Sequence, residues 1–167
     1  MSELRTIGLT SLKMGDIAVD GGMGTVLTEV GKILKDSCEL TQDDSSVTDF
    51  NCEELDDPIE SIEILGKRTL KFAIADYTPA TLERILGGQA TGVAPADEWS
   101  APSTSPGIEQ SFEIITPKGV KFEIVRATVR GKLTAKFSKT GLAQIDVTCQ
   151  ILTPTKAATA PITLSRV

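Results

Sequence analysis

The sequence predicts a mainly β fold, two packed antiparallel sheets with one short flanking α-helix. Three observations carry that expectation. The last third alternates apolar and polar residues over several successive runs, the period of strands buried on one face. Helical periodicity with marked ends appears in one short segment. The composition is rich in Gly, Ser and Thr and poor in aromatics, at 4%, as turn-rich β proteins are. With 167 residues, one domain with a sizeable core is the natural organisation.

Residues 1–24 contain Gly8, Gly15, Gly21, Gly22 and Gly24 between short apolar pieces. They read as a Gly-rich N-terminal arm that becomes ordered on assembly. From Thr25 the pattern is more regular: Thr25 to Val30 and Lys32 to Leu40 both read as strands, and a β-sandwich domain is expected over 25–152. Thr41 to Asp57 is polar and acidic, with Val47, Phe50 and Leu55 as its large apolar side chains, and reads as a long surface loop docked at points. Asp43, Asp44 and Asp49 are calcium-ligand types, but no Gly sits inside the acidic run as an EF-hand loop requires.

Pro58 to Gly88 reads as two strands and a helix. Ile62 and Ile64 alternate with Ser61, Glu63 and Leu65; Leu70, Phe72 and Ile74 alternate with Lys71, Ala73 and Ala75. Gly66-Lys67 between them suggests a hairpin turn. The period then changes: Thr78 suits an N-cap, Pro79 a first helical position, and Leu82, Ile85 and Leu86 share a face before Gly87-Gly88 stops the helix. The expected helix is 79–86. Gln89 to Gly107 is a loop carrying the single Trp99, read as a plug on the side of the sandwich.

Ile108 to Ile115, Val120 onward, Leu133 to Phe137 and Ala143 to Ile151 then alternate in turn, with turn residues at Thr116 to Gly119 and Lys139 to Gly141. They predict a four-stranded antiparallel meander in which Gly131 marks a bend or break. The tail 153–167 reads as extended, with Ile162 and Leu164 as docking points.

Chemistry is harder to find. The chain has no histidine, which removes the usual Ser-His-Asp, Cys-His and histidine-metal arrangements. Cys38, Cys52 and Cys149 show no CxxC spacing; Cys149 reads as a small buried hydrophobe. A P-loop is missing, and Gly21-Gly-Met-Gly24 lacks the βαβ context of a dinucleotide site. One Trp and one Tyr give little platform for sugars or bases. The expectation is a non-enzyme without cofactor or metal. No basic leader or bilayer-length apolar run is visible, so a soluble protein made in the cytoplasm is expected.

Charge is sorted along the chain. Between Asp36 and Gly66 there are eleven acidic residues and no Lys or Arg. Between Pro117 and Lys139, seven cations (Lys118, Lys121, Arg126, Arg130, Lys132, Lys136 and Lys139) stand against Glu123. Two solvated faces on a monomer would satisfy this pattern. Complementary patches on identical copies would do so as well, and they make heterologous contacts.

The order of features resembles the major tail tube proteins of tailed bacteriophages. The likeness rests on Asp76-Tyr-Thr-Pro-Ala-Thr-Leu-Glu-Arg-Ile-Leu-Gly-Gly88, which joins a strand to a short helix, and on the final hairpins from Ile108 to Leu152. The resemblance implies a β-sandwich whose copies join sheets into rings, with hexamers expected, and rings that stack into a tube. It implies a virion tail location after synthesis in the host cytoplasm, and double-stranded DNA as a passenger in transit. Neighbours would be terminator, tape measure and distal tail proteins, with no membrane. Assembly residues are then expected at Thr78, Leu82, Glu83 and Arg84 on the helix, at Arg126, Arg130 and Lys132, and at Asp43, Asp44 and Asp49. The rival readings are a monomeric β-sandwich binding module and a tube subunit of a contractile or type VI-like secretion system.

Overall fold

The computed structural model describes residues 3–167; the first two residues of the expected arm lie outside them. The chain is mainly β, with one large antiparallel sheet, two small ones and a single helix. The strands are β1 Ser11–Gly15, β2 Thr28–Glu29, β3 Lys32–Ile33, β4 Glu39–Gln42, β5 Ser46–Phe50, β6 Glu60–Ile64 and β7 Arg68–Asp76. Helix α1 Pro79–Leu86 follows, then β8 Gln89–Thr91, β9 Glu98–Ser100, β10 Ile108–Ile115, β11 Val120–Thr134, β12 Gln144–Ile151 and β13 Ile162–Arg166. The large sheet runs β2-β1-β10-β11-β12-β7-β3, with β13 beside β11 and β4 beside β7.

Two packed layers arise because this sheet turns over on itself, and β11 is the corner. Its residues 120–124 pair with β13, and residues 127–134 pair with β12. The change of partner falls at a β-bulge, where Val125 and Arg126 together oppose Ser111 of β10. A bulge bends the strand that carries it, which lets one strand serve two layers. At that corner Ser111 Oγ is fully buried; it donates to the Val125 carbonyl at 2.6 Å and accepts from the Gly24 N–H at 3.0 Å. Phe72 of β7 and Phe112 of β10 are separated by two intervening strands in the sheet. Their rings still meet edge to face at 6.1 Å, so the two halves enclose one core. Met14, Leu70, Ile74, Ile124, Ile145 and Cys149 fill the rest.

Helix α1 has the predicted bounds. Thr78 Oγ1 accepts from the Thr81 N–H at 3.3 Å, and Gly87, at φ 76°, sends its N–H to the Glu83 carbonyl at 3.0 Å. Gly131 beneath the helix neither bends nor breaks β11, which runs through it. A Cβ there would come within 2.6 Å of Leu86 Cδ2 and 2.7 Å of Ile85 Cγ2. This glycine marks a close approach of helix to strand. Trp99 is half-buried against the core, and it donates its indole N–H to the Gly87 carbonyl at the end of the helix at 2.9 Å.

Several expectations are corrected. The meander has three strands, and Phe137 lies outside it, fully exposed, on the loop that joins β11 and β12. The expected 1–24 arm is interrupted by β1, which pairs with β10 along its whole length and buries Leu12 and Met14. Of the strands expected before residue 41, only the short pieces β2, β3 and β4 form. Within the 153–167 tail, β13 is a paired strand, with Ile162 packed on the core and Leu164 more exposed.

Candidate functional site

The largest departure from the sequence reading is also the most suggestive surface. Gly66-Lys67 does not reverse the chain, because β6 and β7 do not pair with each other. Instead β4 pairs with β7 and β5 pairs with β6, so residues 39–50 run outward and 60–76 run back as one long ribbon. The Asp43 N–H donates to the Lys67 carbonyl at 2.8 Å, which joins the two ladders. Gly66 is required there, since a Cβ would lie 2.0 Å from the Asp43 carbonyl oxygen. What the sequence presents as an acidic loop over 41–57 therefore contains the end of β4 and all of β5, and all residues of β5 and β6 are exposed.

The register divides the ribbon into two faces. Residues directly opposite share a face, so Ile64 with Ser46, Ile62 with Thr48 and Phe50 with Glu60 form one side. Phe50 and Ile62 are each 46% exposed and Ile64 is 62% exposed. Val47 with Glu63 and Asp49 with Ser61 form the other side. Leu55, Ile59 and Leu65 are exposed along the rest of the ribbon. This is an amphipathic β-ribbon with its apolar face in water.

The predicted assembly residues divide by environment. Asp43, Asp44 and Asp49 are exposed on the ribbon. Among the described residues no three potential metal-ligating side chains gather at one point. Arg130 and Lys132 are exposed on β11, opposite Thr148 and Asp146 of β12. Thr78 and Glu83 are exposed on the helix, whereas Leu82 belongs to the core.

Arg126 is not a free cation. Its Nε and Nη2 donate to the two carboxylate oxygens of Glu109 at 2.7 and 2.9 Å, and Nη1 reaches the Thr153 carbonyl at 3.2 Å. The guanidinium holds the Glu109 carboxyl below its usual range. Arg126 is thus an internal brace, and the basic patch loses one member.

Arg84 stands in a different setting. Its Nη2 donates to the Met14 carbonyl at 2.6 Å, and burial lowers its pKa while Asp16 nearby opposes that. Beside it Gln110 is nine-tenths buried and donates through Nε2 to Asp16 Oδ1 at 2.9 Å. Gln110 Oε1 has no partner, and it is the one such buried side-chain atom among the described residues. Together Arg84, Asp16 and Gln110 border a cavity of about 470 Å³ whose apolar rim includes Val19 and Val26. Gln110 alternates in phase with Ile108, Phe112 and Ile114, so strand periodicity places it on the inward face of β10, whereas its unpaired amide oxygen is visible only in the structure.

The three cysteines are free thiols. Burial pushes the Cys149 thiol up to about 12 and raises Cys38 as well, which disfavours the thiolate in both. No helix among the described residues is long and apolar enough to cross a membrane. Comparison of the chain with protein-family models and with curated proteins returns no match.

Proposed function

We propose that the protein is a self-assembling structural subunit of a phage-type tail tube, its copies forming stacked rings around a conduit for the genome. One observation carries the reading: the β5–β6 ribbon holds an apolar face out in solvent on a framework too regular to be a loose tether. Apolar ribbon faces of this kind are aggregation hazards unless something covers them. A second copy of the same chain is the occupant that is always at hand. The single-sign charge of residues 36–66 keeps free ribbons apart from one another and directs them to a different surface of the neighbour. Arg130 and Lys132 supply cations on such a surface. The negative balance of the whole chain, −6, suits a wall past which phosphate moves without binding.

Purified protein, raised in concentration and viewed by negative-stain microscopy, is expected to form rings or tubes. A species that stays monomeric at every concentration, by light scattering, overturns the proposal.

A further inference from the structure

The β5–β6 ribbon and the loop between β11 and β12 leave the same sheet at opposite ends. The ribbon departs from β7 at Arg68, which lies opposite Gln42 of β4. Strand β12 runs antiparallel to β7 with Ile145 opposite Ile74, and it meets β11 at Gln144, opposite Thr134. The 135–143 loop beyond that pair therefore stands at the Asp76 end of β7. Arg68 and Ile74 are about 20 Å apart at strand rise. The ribbon does not fold back to cover the loop, since all residues of β5 and β6 are exposed and Phe137 is fully so.

The two ends are opposite in charge and alike in apolar content. The eleven acids of residues 36–66 are all exposed, and among the described residues none of them forms an ion pair. At the other end, residues 130–143 hold Arg130, Lys132, Lys136 and Lys139 with no Asp or Glu. Among the described residues these cations form no ion pair either. Lys121 and Arg126, earlier on β11, are already engaged by Glu123 and Glu109, so positive charge free of acids gathers toward the loop. Each end also holds apolar side chains in water, Phe50, Ile62 and Ile64 on the ribbon and Phe137 and Leu142 on the loop. An apolar surface edged by charge of one sign selects a partner edged by the other, while two ribbons, or two loops, repel.

We propose that the β11–β12 loop of one copy seats on the apolar face of the β5–β6 ribbon of the next, Phe137 against Phe50 and Ile62, with Lys136 and Lys139 meeting the ribbon's carboxylates. The occupant is a second copy of this chain, so the inference rests on self-assembly and names a contact within it. Each copy offers one ribbon and one loop at opposite ends of a sheet. The contact is therefore heterologous and continues from copy to copy along the direction of β7. Phe137 fills the place of an interface anchor, desolvated at the centre with charged pairs at the rim.

The test exchanges charge in the full chain. One variant reverses the loop, with Lys136→Glu and Lys139→Glu; the other reverses part of the ribbon, with Asp49→Lys and Glu60→Lys. All four side chains are exposed, so thermal midpoints should match the wild type. Each variant alone is expected to need about ten-fold or more protein to assemble. An equimolar mixture is expected to assemble near the wild-type concentration, because the altered end of each variant fits the altered end of the other. If the wild type assembles while either variant matches it, or while the mixture stays dispersed, the contact is overturned and self-assembly stands. Should a reversed variant fail to fold, Phe137→Ala decides: a rise of about ten-fold in the assembly concentration supports the contact, and wild-type assembly overturns it. A wild type that never assembles overturns both the contact and the self-assembly it rests on.

Discussion

The folded-over sheet and the ribbon that leaves it are built from the same hydrogen-bonded ladders, yet they spend their side chains differently. In β7 the inward residues Leu70, Phe72 and Ile74 are buried. A few residues earlier on the same returning half of the ribbon, Ile62 and Ile64 alternate just as regularly and face water. Periodicity states that a strand has an apolar face. Only tertiary structure states what covers it. The contrast separates residues that hold this chain together from residues available to hold copies together.

Three experiments sharpen that contrast, ordered by their expected effect on thermal unfolding. Phe112→Ala removes a fully buried ring from the contact between the two halves. It is expected to cost about 3–5 kcal/mol, read as a large fall in the denaturation midpoint. The Glu109–Arg126 brace comes next and is visible through pH. Because Arg126 depresses the Glu109 pKa, the pair's contribution is present above the ordinary carboxyl value of 4.5 and is lost as pH falls through the depressed one. Wild type and Arg126→Gln should therefore differ in thermal midpoint at neutral pH and converge in acid. A constant difference down to pH 2 would show that the brace acts through packing instead. Smallest of all, Ile62→Lys with Ile64→Lys should alter stability by no more than about 0.5 kcal/mol while abolishing assembly. A double variant that unfolds readily would place the ribbon inside the folding unit and erase the contrast.

Much of the fold is legible in the sequence for identifiable reasons. The helix is bounded by Thr78, Pro79 and Gly87, whose cap geometry is local and so is written locally. Strands β10, β11 and β12 announce themselves by alternation, and the partial burial of Trp99 against the core follows from its size. The misreadings involve partners. Gly66 looks like a turn glycine and is a crossing-point glycine; Gly131 looks like a break and is the seat of a helix. In each case the residue type reports a missing Cβ and cannot report what stands where the Cβ would be.

The candidate surfaces were less accessible to sequence reasoning. Charge sorting located the acid segment, but not its regular form, because polar alternation over 41–57 resembles loop composition. Arg126 pairs with Glu109 of its own chain and Leu82 packs in the core, contacts that the charge of one and the helical phase of the other do not by themselves separate from an interface role. Gln110 shares the inward phase of Ile108, Phe112 and Ile114, and periodicity cannot report that its amide oxygen is left without a partner.

The pairing of β1 with β10 has a kinetic consequence. Ser11 faces Ile115, so β1 must wait for the whole stretch up to β10 to be made before it finds its partner. Contacts this distant in sequence make folding slow. Until synthesis passes Ile115, Leu12 and Met14 have no β10 to cover them. A chain stopped short of that point would expose the same apolar residues that later seal its core. In a protein suited to joining copies of itself, the interval before β10 arrives is when wrong unions are easiest to make.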